Sequence, residues 1–344
     1  MQNRNYINIP HLDGWRGVAI GLLLFGHFLP VPGIDLGLVA VNLFFVLSGL
    51  LMARVLFLQA VPIRTFYQRR ISRIIPGVFA YLAILAMVRL AIGSEVVWQE
   101  MAAAATFLTN YFGGPLGHTV MPLSHIWSLS VEEHSYILLS LIAIAARRKL
   151  LGAQASMFVV TMVCALVGLY YWRHFSGQYL EFVLWRHSEV AAYGIVASAS
   201  LFLYFQRRSA LKVPALAVPA LVMLGLCMHW WFVPLPARTI VGVGAFALAV
   251  NLIDAAPRWA LWILSVRPLR QLGVWSFSIY LWQQPFHSMV GKGEMSPLAG
   301  LIFAMACGLG SFYLIEQPAR RYLNARSKSR RDALIEMRPA LRAK

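Results

Sequence analysis

An all-α bundle embedded in a membrane is the fold class this sequence predicts, on three observations. Of its 344 residues, 59% are hydrophobic and only 12% charged, against about 25% charged in an average soluble domain. Apolar runs recur along the whole chain at lengths near the roughly 20 residues that cross a bilayer. The charges that remain gather in the short segments between runs and are mostly basic, giving a net charge of +17.

About ten spans follow in order, over 12–30, 37–58, 76–93, 124–146, 155–172, 188–205, 213–232, 238–254, 272–291 and 297–315. With the N-terminus inside, the inner face holds Arg4, then Arg64, Arg69, Arg70 and Arg73, then Arg147, Arg148 and Lys149. It continues with Arg207, Arg208 and Lys212, then Arg258, Arg267 and Arg270, and a basic tail, for 23 of the 30 Lys and Arg residues. The outer segments hold only Arg173, Arg186, Arg238 and Lys292, while Arg16, Arg54 and Arg89 lie within helices. This asymmetry is the positive-inside pattern and predicts both termini in the cytoplasm. It also accounts for the charge without nucleic acid, because the basic residues form no single patch.

Two stretches are expected to be helical without spanning. In the outer segment 94–123, the run WQEMAAAATFLTNYFGG predicts a short interfacial or re-entrant helix. Residues 256–270, APRWALWILSVRPLR, are too short to cross and put two Trp among apolar residues flanked by Arg. They predict an amphipathic segment lying on the cytoplasmic face. The organisation expected is one integral membrane domain over 1–320 with a basic cytoplasmic tail at 321–344. Cys164, Cys227 and Cys307 each lie inside an apolar run, a pattern that indicates packing residues and neither a disulfide framework nor a metal site. The first apolar run lacks a small-residue cleavage site and is expected to stay as a helix.

Polar groups inside spans are costly and therefore informative. Arg16 and His27 are eleven residues apart, about 16 Å along a helix and roughly 20° around it. Both can face one cavity, with Arg16 toward the cytoplasm and His27 toward the outer leaflet; the plain alternative is a snorkelling arginine and a histidine bonded to a neighbouring carbonyl. The fourth span opens with SHIWSLSVEEHSY, which places His125, Glu132, Glu133 and His134 at its outer end, level with His27. A carboxylate there can fix the tautomer of an imidazole and stabilise its charged form, or it can simply complement a helix N-terminus. In the inner loop RTFYQRRISRIIPG, Arg69, Arg70 and Arg73 offer forked donors for phosphates, or they serve topology alone. Gly17 and Gly49 predict close helix packing, and Ser48 an interhelical hydrogen bond. Ser48 has no nucleophile-elbow motif around it.

Taken together, LDGWRGVAI…GHF, VNLFFVLSGLL, RRISRIIP, HIWSLSVEEHSY, SFSIYLWQQP and IEQPARR resemble, in order and over nearly the whole chain, the acyltransferase-3 family. Its members are integral-membrane O-acyltransferases that modify cell-envelope glycans. The resemblance implies that Arg16 and His27 are the family's first-helix pair, with Asp13 in the same motif, and that Arg70 and Arg73 are its Arg-x-x-Arg motif, implicated in acyl-CoA binding. It carries over Trp127, Ser128, Glu132 and Glu133, then Tyr280 and Trp282, then Glu316, Pro318 and Arg320. Two positions depart from the family pattern. Gln283 stands where many members have His, which argues against a catalytic role there, and Asn42 stands where Asp is frequent. The chain resembles the standalone subtype, without a fused extracytoplasmic domain.

The resemblance further implies a protein of the bacterial inner membrane that takes an acyl group, acetyl foremost, from cytoplasmic acyl-CoA and passes it to an extracytoplasmic glycan hydroxyl. His27 would be the general base and Glu132 or Glu133 its orienting carboxylate. Arg16 would serve the thioester or a CoA phosphate. Acylation of a small molecule or lipid is the alternative within enzymes. A transporter or flippase is the alternative outside them, and the inverted repeats common in transporters are not evident.

Overall fold

The computed structural model describes residues 9–112, 119–208 and 213–326. Arg4, Lys212 and the tail from 327 lie outside these residues. In chain order the helices are α1 (Pro10–Phe28), α2 (Leu36–Ala53), α3 (Ile63–Ala91), α4 (Trp98–Ala105), α5 (Trp127–Arg147), α6 (Ala153–His174), α7 (Gly177–Phe182) and α8 (Ser188–Ala191). They continue with α9 (Tyr193–Gln206), α10 (Ala217–Met228), α11 (Leu235–Ala237), α12 (Gly244–Asn251), α13 (Arg258–Ser265), α14 (Arg267–Gly291) and α15 (Pro297–Ser311). Among the described residues there is no strand, only an isolated antiparallel bridge between Ile34 and Trp230.

Among the described residues, six helical stretches are long and apolar enough to cross a membrane: Leu36–Leu58, Ile63–Ala91, Ser124–Arg147, Ala153–His174, Ser188–Gln206 and Pro297–Arg326. The protein is thus a multi-pass, all-α membrane protein. The remaining four of the ten expected spans are helical too, but do not meet that standard. α1, 19 residues, and α14, 25 residues, carry too many polar side chains, and Ala217–Met228 and Leu235–Asn251 are shorter. The two expected non-spanning segments appear as α4 and α13. No α13 residue is buried, and Trp259 and Trp262 face outward. The last helical stretch runs without a break to Arg326.

Local chemistry sets several helix ends. The Asp35 side chain caps α2 by accepting from the Leu38 amide at 2.9 Å, and Ser296 caps α15 by accepting from Ala299 at 3.3 Å, each satisfying an orphan donor of a first turn. α2 ends in a π-helical turn over Arg54–Leu58, and α15 passes through another over Phe312–Glu316.

Small residues decide how closely the helices approach. α1 lies between α14 and α2, and its pairing with α14 is the most extensive in the fold. A Cβ on Gly17 would collide with the Leu269 carbonyl, one on Gly273 with the Asp13 carbonyl, and one on Gly14 with the Leu264 carbonyl of α13. Gly49 seats α2 in the same way against the Ile195 carbonyl of α9. Backbone-to-backbone contact through small residues is how membrane helices gain dispersion energy when lipid offers no hydrophobic drive. Trp15, Ile20, Leu23, Val46, Tyr81, Tyr136, Phe246 and Leu281 belong to the single large core that results. Phe158, Val159, Val163 and Leu166 of α6 point outward, as apolar residues do on a helix that is hydrophobic all round.

Candidate active site

A cavity of about 100 Å³ lies among α1, α2, α3, α5 and α14. Arg16, Ser48, Arg70, Arg73, Glu132 and Tyr280 are among its polar lining, beside the apolar Phe44, Phe45 and Leu51. Arg70 is held by two carboxylates and an aromatic ring. Its Nε donates to Glu133 Oε1 at 2.8 Å, its Nη2 donates to Glu132 Oε2 at 3.1 Å, and its guanidinium lies 3.3 Å over the Tyr136 ring. Ser48 Oγ donates to the other oxygen of Glu132 at 2.9 Å, bridging α2 to α5.

Arg16 donates to Asp13 Oδ1 at 3.3 Å, one turn back on α1. Arg73 forms no ion pair among the described residues, and Arg16, Arg70 and Arg320 press on it with like charge. Glu316, whose charge also reaches Arg73, is held by Ser278 and Ser311, which donate to it at 2.7 and 3.0 Å. Asp13, Glu132 and Glu133 are taken up by Arg16 and Arg70, which leaves Arg73 as the cavity's forked donor without an ion pair among the described residues, the chemistry that binds phosphate. The structure brings Arg16, Arg70 and Arg73 together and leaves Arg69 out: its residue is exposed, and its carbonyl accepts from Ser72 Oγ at 3.0 Å.

This arrangement corrects one expectation. Glu132 and Glu133 do not orient His27. α5 starts at Trp127, so both glutamates sit more than a turn inside it, and they are claimed by Arg70 of α3. The other members of that segment also separate. His125 is buried edge-on to the Tyr81 ring. His134 Nδ1 pairs with Ser188 Oγ at 2.7 Å and its ring stacks on Tyr111. Tyr111 donates to Glu189 at 2.7 Å, and burial together with that bond pushes its phenol up to about 12, so it stays a donor.

His27 stands in the last turn of α1, outside the arginine cavity. Its Nδ1–H donates to Gln283 Oε1 at 2.7 Å. Gln283 Nε2 donates to Gln284 Oε1 at 3.3 Å, and Gln284 Nε2 donates to Ser124 Oγ at 3.1 Å. Position 283, where Gln replaces the His of many family members, holds the direct partner of His27. On its other edge, His27 Nε2 faces the start of α2. A Cβ on Gly37 would lie 2.8 Å from that nitrogen and 3.2 Å from Asp35 Oδ1, so glycine there leaves both atoms their places. The His287 ring stacks on His27 with centroids 4.1 Å apart, and its Nδ1–H donates to the His27 carbonyl at 3.0 Å.

Gln283, Gln284, His287, Asp35 and Gly37 were missed as site residues. The signal available was helical spacing, because Gln283 and His287 are i, i+4 neighbours on one face. Tyr280, three residues before Gln283, joins the two regions. It lines the cavity, and its hydroxyl donates to the His125 carbonyl and accepts from Ser128 Oγ, both at 2.6 Å. Trp282 packs edge-on to Tyr81, and Trp127 edge-on to Phe45. Asn42 Nδ2 donates to His229 Nε2 at 3.0 Å, and His229 Nδ1–H donates to the Gly225 carbonyl at 2.6 Å.

Comparison with known proteins points the same way. Residues 9–316 match the acyltransferase-3 family, described as an acyltransferase domain. BcsY of Komagataeibacter xylinus, whose name describes a membrane-bound transacylase, is 28% identical over 91% of this chain and 83% of its own length. The O-acetyltransferase OatA of Staphylococcus aureus strain NCTC 8325 is 22% identical over 91% of this chain, which spans 57% of OatA. No solved structure matches. With a match that takes in nearly every helix described above, the chain belongs to the acyltransferase-3 family and is a membrane acyltransferase.

Proposed function

We propose that this protein transfers an acyl group, acetyl foremost, from acyl-CoA on the cytoplasmic side to a hydroxyl of a cell-envelope glycan on the outer side of a bacterial inner membrane. Both termini are then cytoplasmic, as the distribution of basic residues favours. The observation that carries the reading is Arg73: an arginine without an ion pair among the described residues, beside Arg16 and the carboxylate-bound Arg70, in a cavity that reaches the same helix as His27. A CoA phosphate group is the anion such a site accepts. The pantetheine arm then runs along α1, from the level of Arg16 toward His27, about 16 Å by helical rise.

At its far end, His27 Nε2 takes the proton from the acceptor hydroxyl as that oxygen attacks the thioester carbonyl. Collapse of the tetrahedral intermediate breaks the C–S bond. The acyl group remains on the acceptor oxygen, and the CoA sulfur leaves as thiolate and takes up the proton. The name of OatA, an O-acetyltransferase, supports acetyl as the group moved and an oxygen as the acceptor atom.

The test is thiol release from acetyl-CoA by purified protein given envelope glycan, paired with mass spectrometry of glycans from cells with and without the protein. His27→Ala should abolish transfer and the added acetyl mass together. Full transfer by His27→Ala would overturn the assignment of the base.

A further inference from the structure

The hydrogen bond on His27 Nδ1 is made to a neutral amide, Gln283, while the one carboxylate near the ring, Asp35, lies toward the Nε2 edge across Gly37. A carboxylate would settle the tautomer by charge, since it only accepts. An amide can either donate or accept, so the bond from Gln283 determines the tautomer only if something determines Gln283. Its Oε1 faces His27 and its Nε2 faces Gln284 Oε1; Gln284 in turn points its Nε2 at Ser124 Oγ. Gln283 is wholly buried and Gln284 nearly so, so water does not replace these partners, and turning either amide means reversing the row. The protonated state formed in the reaction selects between the two directions. An imidazolium has N–H on both nitrogens, so its Nδ1 needs an acceptor, and Gln283 Oε1 supplies one only in the direction seen here.

We propose that Gln283 and Gln284 are positioning residues that hold His27 as the Nδ1–H tautomer, with the lone pair of Nε2 on the edge that faces Gly37, free to take the proton of the acceptor hydroxyl. The proposal rests on His27 being the base. Ser124 anchors the far end of the row from the turn that precedes α5. Stacking by His287 and its bond to the His27 carbonyl fix the plane of the ring, so the row needs to set only its direction.

The experiment is nitrogen NMR of the full-length protein in nanodiscs with ¹⁵N-labelled histidine, the His27 signals being identified by their loss in His27→Ala. Nδ1 should show the protonated shift and Nε2 the unprotonated one. Gln283→Leu should abolish that pattern and lower kcat about 100-fold, the scale of a misoriented reacting group, with the KM for acetyl-CoA unchanged. Gln283→Glu, which still accepts from Nδ1–H, should restore both the signature and most of the rate. A wild-type spectrum with the proton on Nε2 would overturn the proposal without any variant. So would a Gln283→Leu protein of unchanged tautomer and rate. Either result leaves the role of His27 as base standing, because that is decided by the activity of His27→Ala.

Discussion

Arg70 and Arg73 differ by three residues and share one cavity, yet removing them should have opposite consequences. Arg70→Ala takes away two hydrogen bonds to carboxylates and a cation–π contact, and leaves Glu132 and Glu133 without that cation, with no more than a fifth of each side chain exposed to solvent, 16% and 20%. Breaking a buried pair from one side costs about 3–5 kcal/mol, enough to lower the melting midpoint by several degrees. Arg73→Ala removes no ion pair and relieves repulsion from Arg16, Arg70 and Arg320, so its midpoint should hold or rise. What it loses is one charge-assisted contact to the donor, about 1.5–3 kcal/mol, or roughly 10- to 100-fold in acetyl-CoA affinity. Fluorescence-detected thermal melting in detergent reads the first quantity and calorimetric titration with acetyl-CoA the second. Equal melting losses in the two variants, with donor affinity intact in Arg73→Ala, would refute the division into a structural and a binding arginine.

Other substitutions test the frame around the site. Gly17→Leu, driven against the Leu269 carbonyl, should cost at least the about 1–3 kcal/mol of overpacking and scatter the size-exclusion profile, while Gly310→Ala, whose Cβ would meet nothing within 4 Å, should behave as wild type. Asn42→Leu strands His229 Nε2 and should lower thermal stability by about 1–3 kcal/mol without changing donor affinity, since neither residue lines the arginine cavity. Glu316→Leu leaves the Ser278 and Ser311 hydroxyls without their acceptor and removes negative charge near Arg73; it should melt earlier, and tighter acetyl-CoA binding in whatever remains folded would show that Glu316 moderates the cavity's charge.

What the sequence disclosed and what it withheld divide along a physical line. Composition, loop charge and small residues such as Gly17 and Gly49 speak for themselves, because each acts through local or average properties. The span count was harder: α1 and α14 carry the polar residues of the site, and those same residues take them below the apolarity of an ordinary span. The partners of Glu132 and Glu133 are chosen by Arg70, more than 60 positions away, which no spacing within α5 predicts. Gln283 meets His27 from 256 positions away, a pairing that its departure from the family's His does not disclose. Asn42 shows the same limit, since its partner lies 187 positions along the chain.

The glycine seam between α1 and α14 has a kinetic corollary. Where backbones touch through Gly17 and Gly273, neither helix can slide or roll past its neighbour without lifting away, so the pair moves as a single strut. His27 and Gln283 ride on opposite sides of that strut and keep their separation while other helices shift to admit substrates. Arg16 rides on it as well, which makes the span from anion site to histidine a fixed gauge. Thioesters whose carrier arm is too short for that gauge should occupy the arginine cavity, compete with acetyl-CoA and fail to react.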